Sequence, residues 1–105
     1  MPYVYILKCS DGTYYTGYTT CMERRIEEHQ HGTASKYTRG RRPVECVYIE
    51  EVNSKSEALR REIAIKNMKR LDKEGLINEY RSTRFQIHNN SDDGKNNTNK
   101  SAKED

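Results

Sequence analysis

The chain has 105 residues, 33% of them charged, with a mean hydropathy of −1.15 and a formal net charge of +3. That length holds one small domain, no run approaches the ~20 apolar residues that span a bilayer, and so modest a charge identifies no partner by itself. Three cysteines, Cys9, Cys21 and Cys46, form an odd count without a CxxC pair, which argues against a disulfide framework and a zinc knuckle alike.

Met1-Pro2 leads straight into YVYILKC, too short and polar-interrupted for the apolar part of a signal peptide. The expectation is a soluble cytoplasmic protein, monomeric, with no membrane and no disulfide partner. Residues 3–9 (YVYILKC) and 13–19 (TYYTGYT) are rich in β-branched and aromatic types and read as two strands. Ser10-Asp11-Gly12 between them is a hairpin turn.

Thr20-Cys21-Met22-Glu23 matches a capping box, so a helix is expected there, ending by Gly32, a natural C-terminal cap. With Met22 set at 0°, Ile26 falls at about 40°, His29 at about 340°, Arg25 at about 300° and Arg24 at about 200°. Met22 and Ile26 mark the core side, Arg25 and His29 its shoulder, and Arg24 the water side. An arginine on that shoulder can reach a phosphate or pair with a carboxylate such as Glu28. A lone histidine beside a core is more often structural.

Residues 33–43 read as a loop closed by Pro43. Lys36, Arg39, Arg41 and Arg42 lie within it with no acid among them. That is a footprint for a polyanion such as nucleic acid, or a solvated basic loop. A third strand follows over 44–52, with Val44, Cys46, Tyr48 and Glu50 on one face and Val47 and Ile49 on the other.

Ser54-Lys55-Ser56-Glu57 is a second capping box, opening a helix from about residue 55. With Leu59 at 0°, Ile63 falls at about 40°, Ile65 at about 240°, Ala58 at about 260° and Glu62 at about 300°, inside an arc that should face the core. A carboxylate there needs an ion pair, hydrogen bonds or a metal. Lys66, four residues on, supplies the plain alternative. A weaker helix spans about 72–81, using Leu76, Ile77 and Tyr80, with Gly75 against it. Residues 82–105 have no apolar period and read as a solvated, disordered tail. Its charges cancel, so residues 1–81 carry the whole net charge. The elements β-β-α-β-α-α give an α+β fold, a small three-stranded antiparallel sheet flanked by helices.

Val4-Tyr5, then Tyr15-Thr16-Gly17, then Arg25 and His29 on the next helix, then Glu62 in EALRREIAIK, resemble the GIY-YIG nuclease superfamily over about residues 2–80. The nearest likeness is to its stand-alone small bacterial branch of uncharacterised role. The pattern departs at Tyr3, Val4 and Thr16, where the superfamily has Gly, Ile and Ile; these flanking positions build the hairpin. The resemblance implies a catalytic set of Tyr5, Tyr15, Arg25, His29 and Glu62. Tyr5 would activate water as general base or relay, Tyr15 would orient water or phosphate, and Arg25, supported by His29, would neutralise the phosphate. Glu62 would hold one divalent cation, Mg²⁺ or Mn²⁺. Lys66 and Lys69 lie on the Glu62 side and, with Lys36, Arg39, Arg41 and Arg42, would bind nucleic acid.

One shared site requires Tyr5 and Tyr15 on the same face of the hairpin. A two-residue turn pairs residues whose numbers sum to about 23 and separates them. A three-residue turn with Gly12 left-handed in a bulge gives a sum of about 22 and unites them. The second form is expected. The functional expectation is a metal-dependent endonuclease, acting on DNA rather than RNA. The alternatives are a nucleic-acid-binding module without turnover and a small protein-interaction domain, which leaves the basic loop unexplained.

Overall fold

The computed structural model describes residues 1–91, with side chains through residue 83. β1 (Tyr3–Lys8) is the central strand of a three-stranded antiparallel sheet, with β2 (Tyr14–Thr19) and β3 (Glu45–Glu51) on its two sides. Helices cover both faces, which is why Val4, Tyr5, Ile6 and Leu7 are all buried despite alternating sides. The α+β architecture and the element order agree with the sequence reading.

The hairpin takes the three-residue form. Tyr3 pairs with Thr19, Tyr5 with Gly17 and Lys8 with Tyr14. The Gly12 N–H donates to Cys9 O at 2.9 Å and the Cys9 N–H to Thr13 O at 2.8 Å. Gly12 has φ 85°, which an L side chain rarely adopts. Asp11 fastens the turn by accepting from the Thr13 N–H and hydroxyl at 3.1 and 2.6 Å. This register places Tyr5, Tyr15 and Gly17 on one face.

β3 departs from the expected alternation. Ile6 pairs with Tyr48 but Leu7 pairs with Cys46, so Val47 is an extra residue. The bulge resets the parity of the strand. Cys46 therefore packs with Tyr5, Leu7, Cys9 and Val44, whereas Val47 and Tyr48 both join Val4 and Ile6. Val44, Cys46 and Tyr48 do not share a face.

Helix α1 (Met22–His31) begins from Cys21, which makes no side-chain cap, so the Thr20 capping box does not form. The hydroxyl of Thr19 accepts the Cys21 N–H at 3.1 Å instead. Gly32, left-handed at φ 81°, closes the helix as expected. The basic segment contains a helical turn, α2 (Lys36–Arg39), capped by the Ser35 hydroxyl on the Thr38 N–H. Helix α3 (Lys55–Lys66) has its expected cap: Ser54 accepts the Glu57 N–H at 3.1 Å, and the Glu57 carboxylate takes the Asn53 N–H at 2.9 Å.

The inward face of α3 is Ala58 and Ile65 with Arg61 and Glu62 between them; Leu59 and Ile63, placed in the core arc by sequence, are exposed. Ala58 and Ile65 lie at about 240–260°, and it is this pair that packs on β1 and β2. Helix α4 (Arg70–Ser91) starts before residue 72 and runs beyond residue 81. Gly75 is accommodated, and Arg70 holds the N-terminal end by donating to Gly12 O at 2.9 Å. Residues 82–91, expected to belong to the tail, continue this helix; the rest of the expected tail, from residue 92, lies outside the described residues. No helix among the described residues is long and apolar enough to cross a membrane, and Cys9, Cys21 and Cys46 form no disulfide.

Candidate active site on the hairpin face

Tyr5 lies across its cross-strand partner Gly17. A Cβ at Gly17 would stand 2.6 Å from the Tyr5 hydroxyl oxygen and 3.2 Å from the Tyr15 ring. The glycine of Tyr15-Thr16-Gly17 is therefore required by the tyrosine ring above it rather than by backbone conformation. The Tyr5 and Tyr15 ring centroids are 6.4 Å apart, and each meets His29 edge-on, at 5.8 and 5.1 Å.

His29 sits at the centre of this group rather than on a shoulder. It is 1% exposed, because α1 turns its Arg25–His29 edge onto the sheet while Ile26 is only half-buried. Its Nε2 is 2.9 Å from the Tyr5 hydroxyl and its Nδ1 is 2.8 Å from Thr38 Oγ1. Burial first, and then the Arg25 guanidinium, push its pKa down to about 4, so the ring is neutral near pH 7. Burial likewise raises the Tyr5 phenol well above its ordinary value, helped by Tyr15 and Glu62 and opposed by Arg25. The charges of Arg25 and Glu62 therefore both bear on the Tyr5 hydroxyl.

Arg25 donates to Glu28 at 3.2 Å through one terminal nitrogen. Its Nε is buried and has no hydrogen-bond partner among the described residues. Arg24 points outward at 65% side-chain exposure, as phased. It nonetheless lines a groove of about 380 Å³ with Arg25, Lys55 and Tyr18. Helix α3 brings Glu62 in from the β2 side, with a side chain 15% exposed and its Oε2 3.3 Å from Lys66 Nζ. The plain ion-pair alternative is thus present.

Among the described residues no cluster of three or more His, Cys, Asp and Glu forms. A lone carboxylate suits a hard cation that keeps most of its waters and takes further oxygens from a phosphate. The donor set fits Mg²⁺ or Mn²⁺ in that mode and does not fit a closed protein cage.

The basic segment divides. Arg41 is held by Asp11 at 3.0 Å and Tyr37 O at 2.8 Å, and its guanidinium lies 3.9 Å over the Tyr37 ring, which in turn stacks on Tyr15. Arg42 donates to Arg39 O at 2.8 Å and Gln30 O at 3.4 Å, folding over Gly32. These two side chains tie the segment to the hairpin turn and to α1. Lys36, Arg39 and Lys69 are exposed. Sequence reasoning named Gly17 only as part of the Tyr15-Thr16-Gly17 motif, and missed Tyr37 and Thr38. The Ser35-x-x-Thr38 spacing was a legible sign of a capped turn; nothing in the sequence pointed that turn at His29.

The family described as the GIY-YIG catalytic domain matches residues 1–75. A UPF0213 protein of Halobacterium salinarum is 57% identical over 77 residues, 73% of this chain and 100% of that protein. A UPF0213 protein of Staphylococcus saprophyticus is 52% identical over 77 residues, 73% of this chain and 94% of that one. A solution NMR structure of a protein from E. faecalis is 42% identical, covers 81% of this chain and 85% of its own, and superposes with a TM-score of 0.50.

Proposed function

The chain belongs to the GIY-YIG catalytic domain family, and from that premise we propose that it is a divalent-metal-dependent endonuclease hydrolysing phosphodiester bonds, in DNA rather than RNA. The observation that carries this reading is the packing of Tyr5, Tyr15 and His29 over Gly17, with Arg25 and Glu62 both acting on the Tyr5 hydroxyl. Phosphodiester hydrolysis needs an activated water, cationic groups where charge develops, and fixed positions for both.

Tyr5 serves as a relay rather than a standing base, because its burial disfavours the phenolate. It takes a proton from the attacking water as its own passes to His29 Nε2, so it stays neutral throughout. Tyr15, held against His29 and Tyr37, orients the phosphate or the water. Arg25 has an unpartnered Nε–H for a non-bridging phosphate oxygen. Glu62 would hold a divalent cation, which when bound would supply positive charge to the phosphate. Lys36, Arg39 and Lys69 grip the nucleic-acid backbone, with Lys66 free to join them once it leaves Glu62; Arg41 and Arg42 contribute charge from fixed positions.

Nicking of plasmid and branched DNA in Mg²⁺ or Mn²⁺, by wild type and Glu62→Gln, tests this. Wild type is expected to nick and the variant to lose about 10²-fold or more of that rate, with unchanged unfolding. Equal nicking by both would remove Glu62 from the mechanism. The Lys66–Glu62 pair favours one other reading, a nucleic-acid-binding module without turnover. Salt-dependent binding without nicking by any metal would select it.

A further inference from the structure

The three most deeply buried polar side chains of the hairpin face form one hydrogen-bonded line: Tyr5 Oη to His29 Nε2 at 2.9 Å, and His29 Nδ1 to Thr38 Oγ1 at 2.8 Å. Thr38 is fully buried, belongs to the four-residue turn α2, and has a hydroxyl 3.1 Å from Ser35 Oγ and 3.5 Å from Ser35 O. A line of this kind can run in either direction, and the direction decides which imidazole nitrogen carries the proton.

Counting donors selects one direction. If Nε2–H donated to the Tyr5 oxygen, the buried Tyr5 O–H would point at no acceptor in the protein, since His29 is the hydroxyl's sole hydrogen-bond partner among the described residues. If Tyr5 O–H donates to Nε2, the neutral ring carries its proton on Nδ1 and donates it to Thr38 Oγ1. The Thr38 O–H then donates to Ser35, either to its carbonyl, which can only accept, or to its hydroxyl. Every buried donor on the line is satisfied in this arrangement alone.

We propose that Thr38 is a positioning residue for the reaction: by accepting the Nδ1–H of His29 it fixes the imidazole tautomer and leaves the Nε2 lone pair on the Tyr5 hydroxyl. This deepens the endonuclease reading and rests on it. In the step it supports, one O–H bond of the attacking water breaks and the oxygen forms a bond to phosphorus. The released proton goes to Tyr5 Oη while the Tyr5 proton moves to Nε2. The P–O bond to the leaving oxygen breaks, and that oxygen is protonated by solvent. The imidazolium, stabilised through Nδ1–H to Thr38, then returns its proton to solvent through Tyr5. With the other tautomer, Nε2 would already be protonated and the relay would have no acceptor.

The inference also gives the basic segment a second role. Ser35 caps the turn, the turn delivers Thr38 to His29, and Arg41 and Arg42 hold the segment in place. Positions that read as a polyanion footprint are then also the support for a hydroxyl behind the catalytic tyrosine.

The test uses the full chain, with ¹⁵N-resolved imidazole spectra near pH 7 and steady-state nicking of plasmid DNA in Mn²⁺. Wild-type His29 should give the Nδ1–H tautomer, a readout that needs no turnover. An Nε2–H tautomer in wild type overturns the proposal whether or not the protein is a nuclease. Absence of nicking beside an Nδ1–H tautomer removes the endonuclease reading, and with it the catalytic role of Thr38, while leaving the tautomer assignment standing. Thr38→Val keeps the shape and deletes the acceptor, and is expected to lower kcat about 10- to 100-fold with KM within about twofold and to shift the tautomer population. Thr38→Ser should restore most of kcat and the Nδ1–H signal. Full kcat in Thr38→Val, or an unchanged tautomer, overturns the proposal. Where Thr38→Val fails to fold, the Thr38→Ser and wild-type spectra still decide it.

Discussion

Against the Val4 and Ile6 face of the sheet, α3 and α4 bring Ala58, Ile65 and Ile77, whereas against the Tyr5 and Leu7 face α1 and α2 bring His29 and Thr38. Both faces are covered by helices and both are built from alternate residues of one strand. The first is held by contacts without direction, so its side chains can be exchanged for others of similar volume. The second contains a line of hydrogen bonds in which each donor has a named acceptor, so a single atom can be removed with a discrete consequence. The larger apolar cluster lies on one side of β1 and the candidate chemistry on the other. Arg61, which donates to both oxygens of Glu50 at 2.8 and 3.1 Å, adds a polar clamp to the apolar side without entering the site.

Tyr5→Phe should separate the two faces most strongly. The ring still fills the space over Gly17, but the relay atom is gone. Turnover is expected to fall about 10²- to 10⁴-fold, with unfolding free energy changed by about 1–2 kcal/mol for the lost buried hydrogen bond. Steady-state nicking and urea unfolding of the same preparation measure both. A variant that unfolded outright would mean the site face carries the stability too, and the comparison would fail.

Ile6→Ala, one residue along, should do the reverse. Its side chain is fully buried among Val4, Tyr48 and Ile65. Removing it should cost about 2–5 kcal/mol, while turnover per folded molecule holds. Chemical denaturation measures the first and active-site-normalised nicking the second.

The pH dependence of stability should come from the site face. The folded-state pKa of His29, about 4, lies below its unfolded value of 6.5. Between these values the unfolded chain binds a proton that the folded chain refuses, so stability falls as pH drops through that window. Above the unfolded value the contribution is complete. Its size is roughly 3 kcal/mol from the shift at 1.36 kcal/mol per unit. The groups facing the ring are Tyr5, Tyr15, Thr38, Arg25 and Glu28. Unfolding free energies of wild type and His29→Gln between pH 4 and 7 are compared; the histidine slope should vanish in the variant. A slope that persisted would locate the titration elsewhere.

The smallest effect belongs to Arg24, the outward neighbour of Arg25. Arg24→Ala should leave turnover within about twofold and flatten the salt dependence of DNA binding by at most about one unit. Arg25→Ala should instead reduce turnover far more than affinity. Salt titrations of binding beside nicking rates distinguish them. Equal loss in both variants would mean that the Arg24 and Lys55 groove, rather than the Tyr5 face, receives the scissile phosphate.

Local patterns carried most of the architecture. The three strands, the Gly32 cap and the Ser54 cap each depend on neighbours in sequence, so residue types sufficed to read them. Helical phasing separated Arg24 from Arg25 for the same reason. Parity left two hairpin turns open, and the shared site implied by the resemblance selected the three-residue form, in which Gly12 supplies the left-handed bulge and Tyr5 and Tyr15 share a face. What failed was whatever depended on a partner element. The Val47 bulge arises from how β3 meets β1, and it moved Tyr48 to the other face. Leu59 and Ile63 looked like core because they are apolar, yet the sheet meets α3 along Ala58 and Ile65 instead. The depth of His29 and its contact with Thr38 depend on α1 and the α2 turn of the basic segment closing together behind Tyr5. Such contacts join residues 9 and 24 positions apart through side-chain geometry, and no periodicity records them. The sequence, through the family it resembles, named the candidate residues and the side of the hairpin on which Tyr5 and Tyr15 stand. Only the tertiary structure decided which of them are buried against one another, and so which nitrogen of His29 is left to accept a proton, because burial and hydrogen-bond direction are properties of packed elements.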